Sequence, residues 1–455
     1  MPGRTDFDLE LIDRLIEDEE RTLEPKHKAS IAYREVSERT VAGGVASSWQ
    51  ASPPHTVFID HGEGNRLFDI DGNEYIDFHL GYGAMVMGHA HPKITEAIQR
   101  QAARGTHFAQ PTKDLDAVGE NLVDRYKLPL WRFCNSGTEA TLEATRLMRA
   151  NTGRDIILKI EGSYHGHHDS LMFSVGPDRS EIGPREHPVS VPQAMGIPQA
   201  FADLVRVVPF NDLAEVERAL AEHEGDVAGM IIEPAMMNCG VIMPQPGYLQ
   251  GLKDLLHKHG AYLAFDEVKT GAALAYGGAA ELFGVTPDII CLAKAIGGGL
   301  PCGAIGATRE LYQLVIDGAY DMAGTFNGNP LTMAASRVAL TEVLTRDVYP
   351  GLGAIYAYME ENLTKVIEQT GLPAYVAGAG AKGSVIYSTK PVREYRDAVG
   401  IDERITYLAW LFQQNRGVFK SPWTKQETWT LSIRHTEEDA QRYVANFEEF
   451  ATAIT

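Results

Sequence analysis

The sequence predicts an α/β protein with a mostly parallel β-sheet covered by helices on both faces, joined to a smaller α+β domain. Short apolar runs alternate with segments of helical periodicity through the middle of the chain, and this alternation is typical of a parallel sheet buried on both faces. The length of 455 residues favours two domains, because a single core rarely grows beyond about 250–300 residues. A hydrophobic share of 44% is enough for a substantial core and argues against disorder.

The chain begins with an acidic amphipathic helix, which has no apolar core of the signal-peptide type. A small antiparallel unit follows it. Thr56–Asp60 and Asn65–Asp69 are predicted as strands, and Asp71-Gly72-Asn73 is typical of a hairpin turn that leads into a return strand over Glu74–His79. We expect residues 1–91 to pack with the small domain, because chain ends often lie close together.

Residues 92–331 are predicted to form the large domain and residues 332–455 the small C-terminal domain. The small domain should open with a long helix over Thr332–Leu344 and contain strands at Gly383–Ser388 and Thr428–Ile433. The predicted strands of the large domain are the apolar runs Leu130–Cys134, Asp155–Ile160, Val227–Ile232, Ala261–Phe265, Ile289–Leu292 and Ala304–Ala307.

Composition limits the partners and the compartment. The formal net charge of −20 argues against nucleic acid or an anionic membrane as a partner. No uncharged apolar run reaches the roughly 18 residues that a membrane span needs. The four cysteines are far apart and form no CxxC pair, as expected for free thiols in a reducing compartment. We therefore predict a cytoplasmic protein that acts on small molecules.

Two charged groups directly follow predicted strands. Asp266 and Glu267 follow Ala261–Phe265, whereas Lys294 closely follows Ile289–Leu292 and precedes a run of three glycines. In open α/β sheets, ligands bind at the carboxyl ends of the strands. A buried lysine there readily loses its proton and attacks a carbonyl, whereas a buried aspartate needs a cationic partner. Pyridoxal phosphate chemistry requires this pair, a lysine and an acid that holds the ring nitrogen protonated.

Each of these signals also has a simpler interpretation. Asp266 could cap a helix or form a buried salt bridge, and Lys294 could be a solvated loop lysine. Asn135-Ser136-Gly137-Thr138 precedes a helix and favours an anion such as phosphate, because a helix start exposes backbone N–H groups. An ordinary helix N-cap has the same residues. The motifs therefore predict the site only in combination.

The segment after the second strand of the large domain carries an aromatic ring and three histidines. Tyr164 follows a strand and a glycine, so its ring can present a flat face to a planar ligand. His165, His167 and His168 lack the spacing of known metal motifs, and no metal site is predicted. Gly378-Ala379-Gly380-Ala381-Lys382-Gly383 matches a dinucleotide-binding pattern, but no βαβ unit surrounds it, so we interpret it as a turn of the small domain.

Taken together, these segments resemble the class III aminotransferases, and most closely their glutamate-1-semialdehyde aminomutase branch. The resemblance covers nearly the whole chain, with the segments in the family's order and spacing. It implies the fold-type I architecture of pyridoxal-phosphate-dependent transferases, pyridoxal 5′-phosphate as cofactor, and a homodimer with active sites at the subunit interface. The segments that carry it include LFDIDGNEYIDFHLGYGAMVMGHAHP, FCNSGTEA, YHGHHD, IIEPAMMNCG, FDEVKTG, LAKAIGGGLPCGAIG, GTFNGNPL and SIRHTEEDAQRYV.

The resemblance also implies a role for each matching residue. Lys294 would bind the cofactor as a Schiff base and then act as general base, and Asp266 would pair with the pyridine nitrogen. Tyr164 would stack on the ring, and Asn238 would lie near its 3′ oxygen. The further implied contacts are Ser136, Gly137 and Thr138 with the phosphate, Thr325 with the phosphate of the neighbouring subunit, Glu233 in the pocket wall, and His165 with the backbone around Tyr164.

The sequence departs from the family at the substrate pocket. Gln50 stands where the aminomutases carry an arginine for the substrate carboxylate, and a neutral amide cannot form a bidentate charged pair. Trp49 adds bulk to the same wall. Lys269 precedes Ala272-Ala273, where relatives usually show Phe-Arg. Glu427 falls where the aminomutases carry a pocket glutamate, and Arg434 is either a replacement anion binder or part of a surface or inter-strand ion pair.

Three functions follow from these residues. The leading one is an aminotransferase that moves an amino group between an amino acid or amine and a keto acid, aldehyde or ketone through Lys294. The alternative is an aminomutase, which moves the amino group within one molecule. The arginine lost at Gln50 favours the first and the overall similarity favours the second. A cofactor-binding protein without catalysis conflicts with the joint presence of Lys294, Asp266 and Tyr164.

Overall fold

A computed structural model describes residues 7–420 and 428–455 of the protein. The strands in chain order are β1 (Ile59–Glu63), β2 (Arg66–Asp69), β3 (Glu74–Asp77), β4 (Leu130–Cys134), β5 (Ile156–Ile160), β6 (Val205–Val208), β7 (Val227–Ile232), β8 (Tyr262–Asp266), β9 (Ile289–Ala293), β10 (Gly303–Ala307), β11 (Tyr375–Ala379), β12 (Lys382–Ile386), β13 (Val418–Phe419) and β14 (Trp429–Thr430). The helices are α1 (Leu9–Leu23), α2 (Lys28–Ser37), α3 (Leu80–Gly83), α4 (Pro92–Ala102), α5 (Asp114–Tyr126), α6 (Gly137–Thr152), α7 (Leu213–Glu222), α8 (Tyr248–Lys258), α9 (Gly278–Phe283), α10 (Gln313–Ile316), α11 (Pro330–Val338), α12 (Tyr349–Thr370), α13 (Tyr395–Ala398), α14 (Glu403–Asn415) and α15 (Glu437–Ile454).

A seven-stranded sheet forms the centre of the large unit, in the order β4-β10-β9-β8-β7-β5-β6. The strands from β9 to β6 in that order are mutually parallel, and β10 runs antiparallel to both of its neighbours. Leu122 of α5, Leu220 of α7 and Leu252 of α8 belong to one buried cluster against the sheet, whereas Ala144 and Leu147 of α6 belong to another. The predicted mostly parallel sheet with helices on both faces is confirmed.

The six predicted apolar runs all form strands of this sheet, within one residue at most of their ends. The strand β6 was not predicted. Its four residues include Arg206, so the segment lacks the continuous apolar run that marks a fully buried strand. Inner strands such as β7 and β9 consist of buried residues throughout, so they appear in the sequence as continuous apolar runs and could be predicted.

The smaller unit is built from both chain ends, as predicted. The strands β1, β2 and β3 are antiparallel, and β13 pairs in parallel with β3. Helix α1 lies on α14, where Arg404 forms an ion pair with Asp13 at 3.0 Å. A second sheet, β11-β12-β14, lies beside the long helices α12 and α15. The domain limits at residues 91 and 331 stay predictions.

The structure differs from the sequence prediction in the bounds of some elements. The first strand starts at Ile59 rather than Thr56, and the helix predicted over Thr332–Leu344 is α11 followed by a π-helical turn over Ala339–Val343. The glycine-rich motif near Gly380 is the hairpin between β11 and β12, which confirms the predicted turn of the small domain. Within the two described ranges, no helix combines the length and the apolar composition that a membrane span requires.

Candidate active site

A cavity of about 380 Å³, here named the inner cavity, lies where β8 and β9 end. Asp266 is the last residue of β8, and Lys294 directly follows β9. The first turn of α6 forms another part of the wall. The residues named in the sequence analysis that line this cavity are Trp49, Asn135, Ser136, Gly137, Thr138, Tyr164, His165, Glu233, Asn238, Asp266, Lys269 and Lys294.

The backbone at Lys294 is held in an unusual conformation. Its φ of +55° lies in the left-handed region, which costs a non-glycine residue roughly 1–2 kcal/mol. A single 3₁₀ turn over Lys294–Gly297 follows, and Gly298 ends that turn with a φ of +61°. The strand thus stops at Ala293, and the lysine side chain lines the inner cavity.

The surroundings of Lys294 favour its neutral amine. Burial and, to a smaller extent, the ammonium of Lys269 together lower the pKa of Lys294 to about 8. The carboxylates of Asp266 and Glu233 oppose this pKa shift. A lysine with this pKa is a nucleophile near neutral pH, so the loop-lysine interpretation does not fit.

We expect the apoprotein to capture pyridoxal phosphate covalently at a rate that rises with pH, with a midpoint at about 8. Because only the neutral amine attacks an aldehyde, about one tenth of Lys294 is reactive at pH 7 and about nine tenths at pH 9. Stopped-flow absorbance of the captured cofactor measures this rate. A rate that rises only near the ordinary lysine pKa of 10.5 would contradict the lowered pKa of Lys294.

Asp266 is fixed by two hydrogen bonds. Its Oδ2 accepts from Nδ1 of His165 at 2.8 Å, and its Oδ1 accepts from the backbone N–H of Val268 at 3.0 Å. The resemblance assigned His165 to the backbone around Tyr164, and the structure instead places its ring against Asp266. No sequence signal linked these two residues, which lie 101 positions apart.

The helix-cap interpretation applies to the neighbour of Asp266 instead. Glu267 is fully buried and accepts N–H donors from Ala279 at 2.7 Å and Ala280 at 2.8 Å, at the start of α9. Burial raises the pKa of Glu267 to about 7. Asp266 is therefore left to face the inner cavity.

In the described part of the chain, no cluster of histidines, cysteines and carboxylates is arranged to hold a metal.

The first turn of α6 can hold an anion. Ser136 is the N-cap, and its hydroxyl accepts from the N–H of Glu139 at 3.1 Å. The N–H groups of Gly137 and Thr138 have no carbonyl partner within the helix, as at any helix start. A Cβ at Gly137 would come within 2.9 Å of Val268, so only glycine fits between the helix and the strand end. The turn is suited to hold an anion such as a phosphate, and its assignment as the phosphate site stays a prediction.

Glu233 fixes the aromatic wall of the inner cavity. One of its oxygens accepts from the N–H of Tyr164 at 3.0 Å, and the other from the N–H of Met237 at 2.9 Å. The Tyr164 ring packs edge-on against Trp49, with 5.1 Å between centroids, and Trp49 is half exposed. Burial raises the pKa of Tyr164 to about 12, so its phenol stays protonated.

Three predicted residues lie outside the inner cavity. Gln50 points back onto its own turn, where its side-chain oxygen accepts from the N–H groups of residues 46 and 47, and it does not line the inner cavity. Thr325 lies in an exposed turn beside a separate cleft of about 860 Å³. Arg434 is exposed and lines a third cavity, of about 310 Å³. Glu427 lies outside the described residues.

The residues of the inner cavity fit pyridoxal phosphate. A helix start suits the phosphate, Asp266 suits a ring nitrogen, and Lys294 offers an amine that is partly neutral near pH 7. Tyr164 offers a flat aromatic face in the same wall. A donor set of this kind recognises a planar, phosphorylated aldehyde.

Known proteins of one family are similar to the chain. Residues 47–405 match the family described as "Aminotransferase class-III". The chain is 37% identical over 433 residues to the "Glutamate-1-semialdehyde 2,1-aminomutase" of Bacillus subtilis (strain 168), covering 94% of this chain and 98% of that protein.

Solved structures of the same kind superpose closely. A glutamate-1-semialdehyde-aminomutase from Pseudomonas aeruginosa PAO1 has a TM-score of 0.90 at 29% identity, covering 99% of this chain and 100% of that one, and a variant of it was solved in complex with PMP. An omega-transaminase from Sphaerobacter thermophilus has a TM-score of 0.88 at 32% identity, covering 93% of this chain and 97% of that one.

Proposed function

Because the chain belongs to the class III aminotransferase family and uses pyridoxal 5′-phosphate, we propose that it is an aminomutase of the glutamate-1-semialdehyde type. Such an enzyme moves an amino group between neighbouring carbons of one molecule. The observation that carries this choice is the 37% identity to the Bacillus aminomutase over 94% of the chain. The sequence alone favours an aminotransferase over an aminomutase, whereas the named relatives favour the aminomutase.

The proposal gives Lys294 two tasks. When bound, pyridoxal phosphate supplies an aldehyde for covalent attachment and a ring that withdraws electrons from the amino-bearing carbon. Nζ of Lys294 would hold the cofactor covalently, and the same amine, once free, would act as the base that takes up and returns the proton of the 1,3-shift between the amino-bearing carbon of the substrate and the cofactor. The pKa of about 8 suits an amine that must both take up and release a proton near neutral pH.

Asp266 holds a proton on the ring nitrogen in this proposal, and His165 orients the carboxylate through the 2.8 Å contact. Ser136, Gly137 and Thr138 hold the phosphate at the start of α6. Tyr164 is half-buried and would cover one face of the ring.

A homodimer is part of the proposal. The turn that carries Thr325 and the half-exposed Phe326 presents polar and aromatic groups at the surface beside an 860 Å³ cleft. A second copy of the chain would cover this surface, and Thr325 would then reach the phosphate of that copy. We also infer a reducing, cytoplasmic location, which four free and buried cysteines support.

Intermolecular transamination is the second candidate function. Gln50 is neutral and its side-chain oxygen is already bonded to its own turn, so it offers no charge for the substrate carboxylate of an aminomutase. The similarity to the Sphaerobacter omega-transaminase, at 32% identity, points in the same direction. In that case the amino group would leave with one product and return with a second substrate.

Glutamate-1-semialdehyde supplied as sole substrate distinguishes the two functions. We expect the holoenzyme to convert it to the isomer with the amino group on the neighbouring carbon, without an added amino donor or acceptor. Chromatography with mass detection measures that isomer, and Lys294→Ala is the negative control. An enzyme that forms no isomer but transfers amino groups from an amine panel to added keto acids would contradict the aminomutase and support the aminotransferase.

A further inference from the structure

The substrate carboxylate of the proposed reaction lacks an evident cationic partner. A second cavity of about 500 Å³, here named the outer cavity, adjoins the inner cavity and shares Trp49, Tyr164 and Lys294 with it. Gln50 lines neither cavity. Among the described lining residues of both, the side chains that end in an ammonium or guanidinium group are those of Lys269 and Lys294. Since Lys294 is committed to the cofactor, Lys269 is the remaining cation.

Lys269 lies at the junction of the two cavities, because its side chain lines both. It lies three positions after Asp266 along the chain, just past the end of β8. Its Nζ donates to the backbone carbonyl of Met237 at 2.7 Å. An ammonium group has three N–H donors, so this contact leaves two for a ligand in either cavity.

The charges around Lys269 leave it open to an anion. Burial lowers its pKa, and the carboxylates of Glu233 and Asp266 act against that shift and favour the charged form. These two carboxylates are engaged elsewhere. Both Glu233 oxygens accept backbone N–H groups, and Asp266 accepts from His165 and Val268.

We propose that Lys269 binds the carboxylate of the substrate in place of the arginine that Gln50 replaces. The proposal rests on the proposed function in one respect, namely that the substrate carries a carboxylate beyond its reacting carbons. A lysine binds this group as a point charge, so the contact is expected to be less directional than a bidentate arginine pair. Lys269 would thus determine specificity without taking part in the proton transfer.

The test uses two amines that differ only in the carboxylate, 5-aminopentanoate and n-pentylamine. The half-reaction of the holoenzyme with each is followed by cofactor absorbance, and binding of unreactive glutarate is measured by calorimetry. We expect Lys269→Met to weaken glutarate binding and the preference for 5-aminopentanoate by about 10- to 100-fold, the usual effect of one charged hydrogen bond. Because Lys269→Met also removes a charge that lowers the pKa of Lys294, the readout is the ratio of the two amine rates rather than either rate alone. Lys269→Arg keeps the charge and should restore most of the preference.

Two outcomes would overturn the proposal. If Lys269→Met slows both amines equally, Lys269 acts on the cofactor or on Lys294 instead. If it changes neither amine nor glutarate binding, Lys269 only anchors the Met237 carbonyl. Arg434→Met removes the other cation suggested by the sequence. If this variant lost the carboxylate preference while Lys269→Met kept it, the proposal would likewise be overturned.

The same measurements separate this inference from the proposed function. Glutarate binding that depends on Lys269, in an enzyme that does not isomerise glutamate-1-semialdehyde, would refute the aminomutase and leave the carboxylate site standing. Isomerisation with glutarate binding that is intact in Lys269→Met would refute the carboxylate site and leave the aminomutase standing.

Discussion

Lys294→Ala is expected to abolish covalent attachment of pyridoxal phosphate and to lower kcat by at least about 10³-fold. The variant removes the amine that attaches the cofactor and also moves the proton, and general acid–base groups alone contribute about 10²–10⁴-fold. The fold should persist, because the substitution breaks no ion pair among the described residues and alanine is small enough for the cavity wall. Steady-state turnover, cofactor absorbance and thermal unfolding measure these three effects.

The matched control is Lys258→Ala, which removes an exposed lysine that forms an ion pair with Glu217 on the surface. It should retain turnover and covalent cofactor, because surface ion pairs contribute little to stability. If Lys294→Ala retained wild-type turnover and the cofactor absorbance of the wild type, another lysine would carry the chemistry. Lys269 would then be the first candidate, since it lines the same cavity.

Asp266→Asn is expected to slow the half-reaction by about 100-fold or more while covalent attachment persists. Asparagine keeps the shape of the side chain and can still accept the Val268 N–H, but it cannot stabilise a positive charge on the ring nitrogen. Breaking one buried charge pair costs about 3–5 kcal/mol, and each 1.36 kcal/mol corresponds to a tenfold change in rate. Stopped-flow absorbance with an amine donor gives the rate, and mass spectrometry of the reduced protein checks the attachment.

Asp254→Asn makes the same chemical change at an exposed position of α8 and serves as the control. Its half-reaction rate should match that of the wild type. Unchanged turnover in Asp266→Asn would reject the role given to this carboxylate. Loss of covalent attachment in that variant would mean that Asp266 acts on Lys294 rather than on the ring.

The parts of the fold that depend on local sequence were predictable. Fully buried strands such as β7 and β9 are continuous apolar runs, and the charged residues at their carboxyl ends indicated the edge at which the inner cavity lies. The order of many motifs then identified the family. The short strand β6 was missed because Arg206 interrupts its apolar character.

The contacts that connect distant residues were not predictable. The ring of His165 meets Asp266 from 101 positions away, and no periodicity in the sequence links the two. The sequence shows that Gln50 replaces an arginine of the family. It does not show the hydrogen bonds of Gln50 to its own turn, because these depend on the local backbone conformation. The left-handed backbone of Lys294 is likewise a tertiary effect, since it requires the surrounding packing to hold it.

The most direct measurement is a peptide map of the wild-type holoenzyme after borohydride reduction. The imine bond between an enzyme amine and a vitamin-B6 aldehyde becomes permanent on reduction, so the modified lysine can be sequenced by mass spectrometry. We predict one phosphopyridoxyl group, located on Lys294. A group located on Lys269 or on any other lysine, or no modified peptide in a protein saturated with cofactor, would contradict the assignment of the inner cavity.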